Sequence, residues 1–391
     1  MQKNNWKKCK LANICSFSNG KKPAFDKLGK YPVYGANGKY GISKKYNANK
    51  GNIVIGRVGA YCGSLYFLKE ESWITDNAIL AIPKINSRFL FYFLLTCNLN
   101  HLSQGAAQPL LNQTILNNID MDLPPIEEQK RIADILGAFD DKIELLQKQN
   151  TTLENMDKAL FKSWFVDFDV VHAKQQGQPK AAIMQQYHLT EEQYNLFPSR
   201  FEPSALGPIP TSWQVKTLGQ VSLCFDSKRV PLSNRDRASR RGVYPYFGAT
   251  SVMDYINDFL FDDIYLLLGE DGSVIKNDGT PFLQYVFGKI WVNNHAHVLQ
   301  GKEPITTEFL YLFLSDFQIQ PYVTGAVQAK LNQKNMNSIP MVIPDKNILN
   351  YFNIYAKRLF NKIIHNHKQI QTLTEMRDAL LPRLISGKIR V

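Results

Sequence analysis

The chain carries an internal duplication, and this feature limits its fold more than any other. The segment YPVYGAN at residues 31–37 returns as YPYFGAT at residues 244–250, and GAAQPLLNQTILNNI at residues 105–119 returns as GAVQAKLNQKNMNSI at residues 325–339. Three further pairs match in the same order: IGRVG (55–59) with LGEDG (268–272), WITDNA (73–78) with WVNNHA (291–296), and FLFYFLL (89–95) with FLYLFLS (309–315). Ordered matches with a slowly growing offset indicate one architecture built twice.

The two copies share a layout in which short β-type runs come first and a long helix comes last. Each copy opens near a tryptophan, Trp6 or Trp213, and continues with apolar runs separated by Gly and Asn turns. Prolines then mark the start of a long helix. The pattern predicts an α+β fold with two internally repeated mixed α/β domains separated by two long helices. The predicted boundaries are residues 1–125 and 213–344 for the domains, 126–165 and 345–391 for the helices, and 166–212 for a linker with a short helix near residues 181–187.

Both long helices carry an apolar stripe with a spacing close to 3.5 residues, which predicts a coiled coil. In the first helix the stripe is Ile132, Leu136, Phe139, Ile143, Leu146, Asn150, Leu153, Met156 and Leu160. In the second helix it is Phe352, Ala356, Leu359, Ile363, Asn366, Ile370, Leu373, Met376 and Leu380.

The single polar residue in each stripe predicts how the helices pair. Asn150 and Asn366 are offset by 216 rather than 220 residues, so they meet only in an antiparallel pairing in which residue i faces residue 516 − i. A buried Asn pair would fix this register. The first helix would span about 60 Å at 1.5 Å per residue, placing the domains in inverted orientation at opposite ends of a rod. The alternative is two separately packed helices with incidental asparagines.

Composition excludes several protein classes. The longest apolar run, FLFYFLLTC at residues 89–97, is far shorter than the roughly 20 residues that span a membrane. The first residues lack the apolar segment of a signal peptide. Five scattered cysteines without a CxxC pair fit reduced thiols better than a disulfide framework or a zinc site. We expect a soluble, intracellular protein without membrane contact.

The net charge of +12 is unevenly distributed. Residues 1–125 carry 16 Lys/Arg against 6 Asp/Glu, residues 126–170 carry 6 against 10, and residues 213–344 balance at 12 against 12. Within the balanced domain, six cations lie close together: Lys228, Arg229, Arg235, Arg237, Arg240 and Arg241. Separated basic patches indicate a polyanion bound at more than one place. Ordinary surface lysine explains much of the first domain, but explains the arginine cluster less well.

The sequence contains no convincing catalytic apparatus. A phosphate-binding GxxxxGK[ST] loop is missing, and no methyltransferase cofactor motif or Asn/Asp-Pro-Pro-aromatic tetrad is present. The HAH triplet at residues 295–297 has no further ligand set near it in the sequence, so no metal site is predicted. The HNH triplet at residues 365–367 lies within the second helix. We therefore expect no catalysis by this chain alone.

Several segments resemble the specificity subunit of type I restriction-modification systems. They are LPPIEEQKRIADILGAFDDKI (123–143), the weaker copy IPDKNILNYFNIYAKRLFNKI (343–363), QPLLNQTILNNI (108–119), SWFVDFD (163–169) and FPSRFEPSALGPIPTSW (197–213). The resemblance covers essentially the whole chain. The second copy departs from it because IPDKNILN replaces the Pro-Pro and Glu-Glu-Gln pattern of the first.

The resemblance implies a non-catalytic subunit of a prokaryotic cytoplasmic complex. Two target-recognition domains would each bind one half of a bipartite site in double-stranded DNA, while the helices hold the spacing and dock two methyltransferase subunits. Motor-nuclease subunits would complete the complex. S-adenosylmethionine, ATP and Mg²⁺ would belong to these partners, and none of them to this chain.

Base recognition favours Arg, Lys, Asn and Gln on loops, and phosphate contacts favour cations. The candidate DNA contacts of the first domain are Tyr34, Asn37, Lys39, Lys44, Lys45 and Arg57. Those of the second are the six clustered cations with Tyr246, Thr250 and Lys276. The recurring pairs Gln108 with Asn112 and Gln328 with Asn332 are interpreted first as loop-fixing or domain-to-helix contacts.

Three alternative functions remain open at this point. A stand-alone DNA-binding regulator would need no methyltransferase partner, and a self-sufficient modification enzyme would need cofactor motifs. A coiled-coil adaptor would explain the helices but leave two basic domains unexplained. Because the domains carry net charges of +10 and zero, we expect them to recognise different half-sites.

Overall fold

The computed structural model describes residues 5–102, 110–325 and 328–391, so Gln108 lies outside the described residues. The chain divides into two compact units. One contains the residues up to Gln147 together with Lys368–Val391, and the other is Lys148–His367. Each of the two long helices contributes one end to each unit.

The first copy consists of short strands and helices followed by a 40-residue helix. Its elements are β1 (Lys7–Lys10), α1 (Leu11–Ile14), β2 (Cys15–Asn19), β3 (Tyr31–Gly35), β4 (Gly38–Ser43), β5 (Ile53–Gly56), β6 (Leu65–Phe67), β7 (Trp73–Ile74), β8 (Ala78–Pro83), α2 (Ser87–Thr96), α3 (Gln113–Asn117), β9 (Asp120–Leu123) and α4 (Ile126–Phe165).

Short elements follow the first long helix. They are α5 (Asp169–Gln175), α6 (Lys180–Gln186), α7 (Glu191–Leu196), β10 (Phe201–Glu202) and β11 (Ile209–Pro210). The second copy then contains β12 (Gln214–Thr217), α8 (Leu218–Val221), β13 (Ser222–Cys224), α9 (Asn234–Ser239), β14 (Arg241–Phe247), β15 (Val252–Ile256), β16 (Phe261–Gly269), β17 (Leu283–Val292), β18 (Ala296–Gly301), α10 (Thr307–Ser315), α11 (Gln333–Asn337), β19 (Pro340–Ile343) and α12 (Lys346–Ile385).

The sheets confirm that the same unit is built twice. The first copy has a sheet of order β2-β8-β5-β6 and a second of order β4-β3-β7, whereas the second copy joins the equivalent strands in one sheet, β13-β18-β16-β17-β14-β15. The long strand β17 corresponds to β6 and β7 together. In both copies the repeated tyrosine-proline strand pairs in parallel with the strand of the repeated tryptophan, β3 with β7 and β14 with β17.

The start of α4 explains why a long helix follows the two prolines. Two acids, Glu127 and Glu128, lie in its first turn, where they favour the positive end of the helix dipole. The buried Gln129 donates to the carbonyl of Pro124 at 2.8 Å and accepts from the backbone N–H of Asn86 at 3.1 Å. Leu349, the equivalent residue in the second copy, is buried in the apolar core instead. Both start sequences therefore anchor the helix to its domain, one by hydrogen bonds and one by packing.

The paired asparagines confirm the predicted antiparallel helix pairing. In the second unit, the amide of Asn366 donates to the side-chain oxygen of Asn150 at 2.7 Å, and both residues are buried. Nearer the start of α12, Phe352 packs against Phe161 and Phe165 near the end of α4, with ring centroids 5.7 and 4.9 Å apart. Residues later in α4 therefore contact residues earlier in α12, as expected for an antiparallel coiled coil.

In the first unit the helix pair carries an ion pair. Arg377 of α12 contacts Asp140 of α4 at 2.6 Å, and Tyr92 of α2 donates to the same carboxylate at 2.6 Å. Arg88 of α2 forms two hydrogen bonds, of 2.9 and 2.5 Å, with Asp141. These contacts attach the first domain to the helix pair.

The predicted apolar stripe is wrong at one pair of equivalent positions. Met156 and Met376 are 49% and 48% exposed, and the residues that follow them point inward. Arg377 reaches Asp140, whereas Asp157 is fully buried with neither carboxylate oxygen hydrogen-bonded to a described residue. Burial, with the nearby Glu308 and Glu154, raises the pKa of Asp157 to about 7. The helix pair therefore exposes a methionine in each copy and places a polar side chain inside.

The segment predicted as a linker, residues 166–212, is instead part of the second unit. It contains three short helices and the β10–β11 hairpin rather than one helix. Its apolar residues Val170, Val171, Ile183, Leu189 and Phe197 are buried in one core with the end of α4 and the second domain. Burial of these side chains stabilises the segment as folded structure.

The second long helix ends at Ile385, before the end of the segment predicted for it. Gly387 has a φ of +70°, and its N–H bonds to the carbonyl of Leu384 at 3.2 Å, as at glycine-terminated helix ends. Within the described ranges, no helix is long and apolar enough to cross a membrane.

Candidate nucleic-acid interface

The arginine cluster of the second domain lies on α9 and at the start of β14. Ser233 starts α9 because its hydroxyl accepts from the backbone N–H of Asp236 while the Asp236 carboxylate accepts from the N–H of Ser233. Asp236 is therefore engaged in capping the helix. This arrangement lowers its pKa through the hydrogen bonds from Ser233.

Arg237 is a structural member of the cluster rather than a free cation. Its guanidinium contacts Asp254 of β15 at 3.2 Å, the carbonyl of Leu232 at 2.9 Å and the side chain of Asn234 at 2.5 Å. It also lies 5.1 Å from the ring centroid of Tyr246. These contacts fix α9 against the β14–β15 hairpin, and contact of Arg237 with DNA stays a prediction.

Four other cations of the cluster are exposed: Lys228, Arg235, Arg240 and Arg241. None of them has an ion-pair partner among the residues that the structure describes. Arg240 lies 5.9 Å from the ring centroid of Trp291, and Lys228 lies 5.1 Å from that of Phe225. Exposed cations without internal partners are available to phosphates or base edges.

Arg229 belongs to a hydrogen-bonded network behind the cluster. Its guanidinium contacts Glu270 at 2.6 Å and Asp226 at 3.3 Å. The buried ring of His297 lies between the Asp226 carboxylate, 2.5 Å from Nδ1, and the carbonyl of Leu331, 2.7 Å from Nε2. The side chain of Arg229 is therefore held inside the domain, and its contact with DNA also stays a prediction.

The same network contains a group with possible metal-ligand geometry. The ligating atoms of Cys224, Asp226 and His297 lie within 4.8 Å of one another, which corrects the expectation that His297 has no other ligand type nearby. However, the backbone N–H of Val298 donates to the second oxygen of Asp226, so each of its oxygens and each ring nitrogen of His297 has a protein partner. Burial raises the pKa of the Cys224 thiol to about 11, which disfavours the thiolate. The donor set fits a hydrogen-bonded cluster better than a metal centre.

The remaining predicted residues of the second domain differ in exposure. Tyr246 is 1% exposed, and its hydroxyl accepts from the backbone N–H of Leu232 at 3.0 Å. This side chain lies in the core, and its contact with DNA stays a prediction. Thr250 and Lys276 are exposed on turns after β14 and β16.

In the first domain the predicted residues gather around the β3–β4 hairpin. Asn37 lies in its turn, Lys39 is exposed on β4, and Lys44 and Lys45 follow β4 directly. Lys44 forms an exposed ion pair with Asp26 at 2.8 Å.

Two predicted residues of this domain are partly enclosed. Tyr34 is half-buried beside Tyr66, and burial together with the charge of Glu70 raises its pKa. Arg57 is half-buried, and its guanidinium donates to the carbonyl of Asp76 at 3.4 Å. Asn112 and Asn332 accept hydrogen bonds from the N–H groups of Ile115 and Asn335, so each caps a short helix.

Exposed apolar side chains on the hairpins were missed by the reasoning from sequence. On β14 and β15 they are Val243, Val252, Met253 and Tyr255, and on β4 the residue equivalent to Met253 is Tyr40. The period of two in VMDYI was the available signal, since it places Met253 and Tyr255 on the face opposite the buried Ile256.

Comparison with known families settles the class of the protein. The family model of the type I restriction modification DNA specificity domain matches residues 3–155 and 210–375. The chain belongs to this family. The two matched segments correspond to the two copies of the duplication.

Curated relatives support the same assignment. The MjaIX specificity subunit of Methanocaldococcus jannaschii is 28% identical over 324 residues, covering 79% of this chain and 71% of the relative. The HindI specificity subunit of Haemophilus influenzae is 25% identical over 378 residues, covering 81% and 79%. The crystal structure of a type I S subunit from M. genitalium superposes with a TM-score of 0.57 at 17% identity, covering 98% of this chain and 97% of the other, and shows the same fold. The family is one of DNA-specificity subunits rather than catalytic subunits.

Proposed function

We propose that this chain selects the DNA target of a type I restriction-modification complex by contacting a bipartite, asymmetric site through its two domains. The observation that carries the proposal is that both copies present exposed cations on the same hairpin, although at different positions of it. Arg240 and Arg241 lie at the start of the β14–β15 hairpin, and Lys39 and Lys45 lie on and after β4 of the equivalent hairpin. Because both copies present cations at the same structural element, each supports one half of a divided polyanion contact.

The two half-sites differ in this proposal. The first domain presents lysines and Tyr40 around its hairpin, whereas the second presents arginines with Met253 and Tyr255. The planar guanidinium of Arg can donate two parallel hydrogen bonds to one guanine. The ammonium group of Lys is a compact charge without this fixed geometry. Different side chains on the two hairpins favour different base sequences.

The partners complete the reaction. We propose two methyltransferase subunits that bring S-adenosylmethionine, and motor-nuclease subunits that bring ATP and Mg²⁺, in a prokaryotic cytoplasm. The helix pair, with its register held by Asn150 and Asn366, sets the spacing between the half-sites. This chain contributes recognition and spacing, and its partners contribute the chemistry.

Single-molecule methylome sequencing of the host, with and without this gene, tests the proposal. A split, asymmetric motif should lose its methylated adenines on deletion and regain them on complementation. Complementation with an Arg240→Gln, Arg241→Gln double variant should restore less methylation than the matched control Arg200→Gln, an exposed arginine of the segment between the copies. An unchanged methylome would contradict the proposal, and sequence-specific DNA binding without methylation would then support a stand-alone regulator.

A further inference from the structure

The β14–β15 hairpin has an outer face that is apolar although it is open to solvent. Val243, Met253 and Tyr255 are 76%, 53% and 55% exposed. Strand β15 is the edge of its sheet, and Tyr255 pairs with Pro245 on this face. Part of the opposite face is covered, since Ile256 is buried and Asp254 is held by Arg237, and Val252 at the start of the strand is 37% exposed. The apolar outer face is therefore a feature that the folding of the domain does not require.

The side chains of this face have defined positions. The sulfur of Met253 lies 3.4 Å from the side-chain nitrogen of Asn293, and a Cβ added at Gly248 would lie only 2.6 Å from that sulfur. Glycine at position 248 thus leaves room for Met253 at the turn of the hairpin. The methionine is held above the turn rather than extended freely into solvent.

The first domain repeats the arrangement with different residues. Tyr40 occupies the position equivalent to Met253 and is 50% exposed. Its ring packs against that of Phe25, itself exposed, at 5.3 Å between centroids. Strand β4 is likewise the edge of its sheet. Tyr40 and Met253 differ in sequence, yet both are exposed at the same position of the equivalent hairpins.

The surroundings favour DNA over a protein as the occupant of this face. In the second domain the exposed Arg240 and Arg241 precede Val243 at the start of β14, with Arg240 against the ring of Trp291, and in the first the exposed Lys39 precedes Tyr40. Of the nearest acids in the second domain, Asp254 is paired with Arg237 and Asp236 caps α9. Apolar side chains with exposed cations on the same hairpin suit the major groove of DNA. The thymine methyl group is the apolar group exposed there, and phosphates line both sides of the groove.

We propose that the outer faces of the two hairpins determine specificity by contacting thymine methyl groups, with Val243, Met253 and Tyr255 acting in the second domain and Tyr40 in the first. This inference rests on the proposed function, since it requires DNA bound at the hairpins. It adds uncharged residues to the recognition surface, of which Val243 and Met253 offer mainly apolar contact, whereas Tyr40 and Tyr255 also carry a hydroxyl group. The neighbouring cations position the hairpin, and the apolar side chains select the base.

The test uses the full-length chain purified from its host with the subunits that accompany it, and oligonucleotides carrying the methylated motif. Each thymine of the motif is replaced in turn by deoxyuridine, which removes only the methyl group. At one or more thymines of the half-site bound by the second domain, replacement should weaken binding about three- to tenfold, the effect of one buried methyl group. The Met253→Ala and Val243→Ala variants should bind thymine and uracil forms equally, while Val166→Ala, an exposed valine outside the hairpin, should keep the difference.

Three outcomes would overturn the inference, and they differ from failure of the proposed function. A second-domain half-site without thymine would do so, as would equal affinity of the wild-type complex for thymine and uracil forms. Hairpin variants that keep the discrimination but lose an accompanying subunit would assign the face to a protein partner. If the wild-type complex binds the motif no better than random DNA, the proposed function itself fails.

Discussion

The side-chain amide of Asn366 donates a hydrogen bond of 2.7 Å to the side-chain oxygen of Asn150, and a second of 2.9 Å to the side chain of Gln149. Both asparagines are buried, and the Asn366 amide is the polar partner of the Asn150 side-chain oxygen. The pair is the one position where the two apolar stripes are polar.

Breaking this pair on one side should destabilise the protein. Asn150→Leu leaves the Asn366 amide opposite an apolar side chain, and we expect a loss of about 1 to 3 kcal/mol in the free energy of unfolding. The double variant Asn150→Leu, Asn366→Leu should recover most of that loss, because apolar pairs pack well in a coiled coil. Urea unfolding measures both. Asn361→Leu, at an exposed position of α12, is the control and should change stability little.

Asp157 should make stability depend on pH. Its pKa is raised in the fold to about 7 from an ordinary 3.8, so its contribution is fully present below the ordinary value and is lost as pH rises to about 7. Asp157→Asn should therefore stabilise the protein by an amount that grows across this range, to on the order of 2 to 4 kcal/mol. Unfolding midpoints at several pH values measure it. Asp134→Asn, at an exposed position of the same helix, should leave the pH profile unchanged.

Arg237 and Arg240 should separate structure from binding. Arg237→Ala removes contacts to Asp254, Leu232 and Asn234 and should cost about 1 to 2 kcal/mol in unfolding free energy. Arg240→Ala should leave the melting temperature unchanged and weaken DNA binding instead. Calorimetry and binding assays on both variants would show the reverse pattern if Arg240 were the structural residue.

The exposed cations should also set the salt dependence of binding. Arg240→Gln and Arg241→Gln should each reduce the slope of log K against log salt by about 0.9 for every phosphate that the variant no longer neutralises. Fluorescence anisotropy over a salt series measures the slope. Arg200→Gln should leave it unchanged, and weaker affinity without a change of slope would indicate base contact rather than phosphate contact.

The Asp226 network should be sensitive to acid and insensitive to chelators. Burial opposes its ionisation, but His297, the N–H of Val298 and Arg229 together hold the pKa of Asp226 below its ordinary 3.8. Its contribution is therefore present above 3.8 and lost as pH falls through the lowered value. Asp226→Asn should be less stable than wild type at neutral pH and lose less on acidification, with Asp262→Asn as an exposed control. A melting temperature that falls in EDTA would show a metal where we find hydrogen bonds.

Sequence reasoning succeeded where the pattern is periodic or repeated. The repeat offsets predicted the two matching sheets, and the difference between 216 and 220 predicted which asparagines meet. The core of residues 166–212 was missed because Val170, Ile183 and Phe197 are spread over several short elements with no common period. Turn-forming residues between them gave the appearance of a linker.

The candidate interface was predictable only in part. Six clustered cations were visible in the sequence, but burial of Arg229 and Arg237 depends on partners 41 and 17 residues away, Glu270 and Asp254. Those pairings follow from strand order, which the spacing of charges does not reveal. The sequence showed where cations gather, and the fold shows which of them are free.

The asparagines are offset by 216 residues whereas the repeat is offset by 220, and this difference disfavours pairing between two identical halves. If two identical first halves paired in the register seen here, Asn150 would face Leu146 and Asp140 would face Asp157, at both ends of the assembly. Each site would bury an unpaired amide, and two carboxylates would be brought together. Pairing of the unlike halves gives the Asn150 oxygen and the Asp140 carboxylate a polar partner each, because Asn366 meets Asn150 and Arg377 meets Asp140. The differences between the two copies therefore favour pairing between the two halves of one chain over pairing between two identical halves.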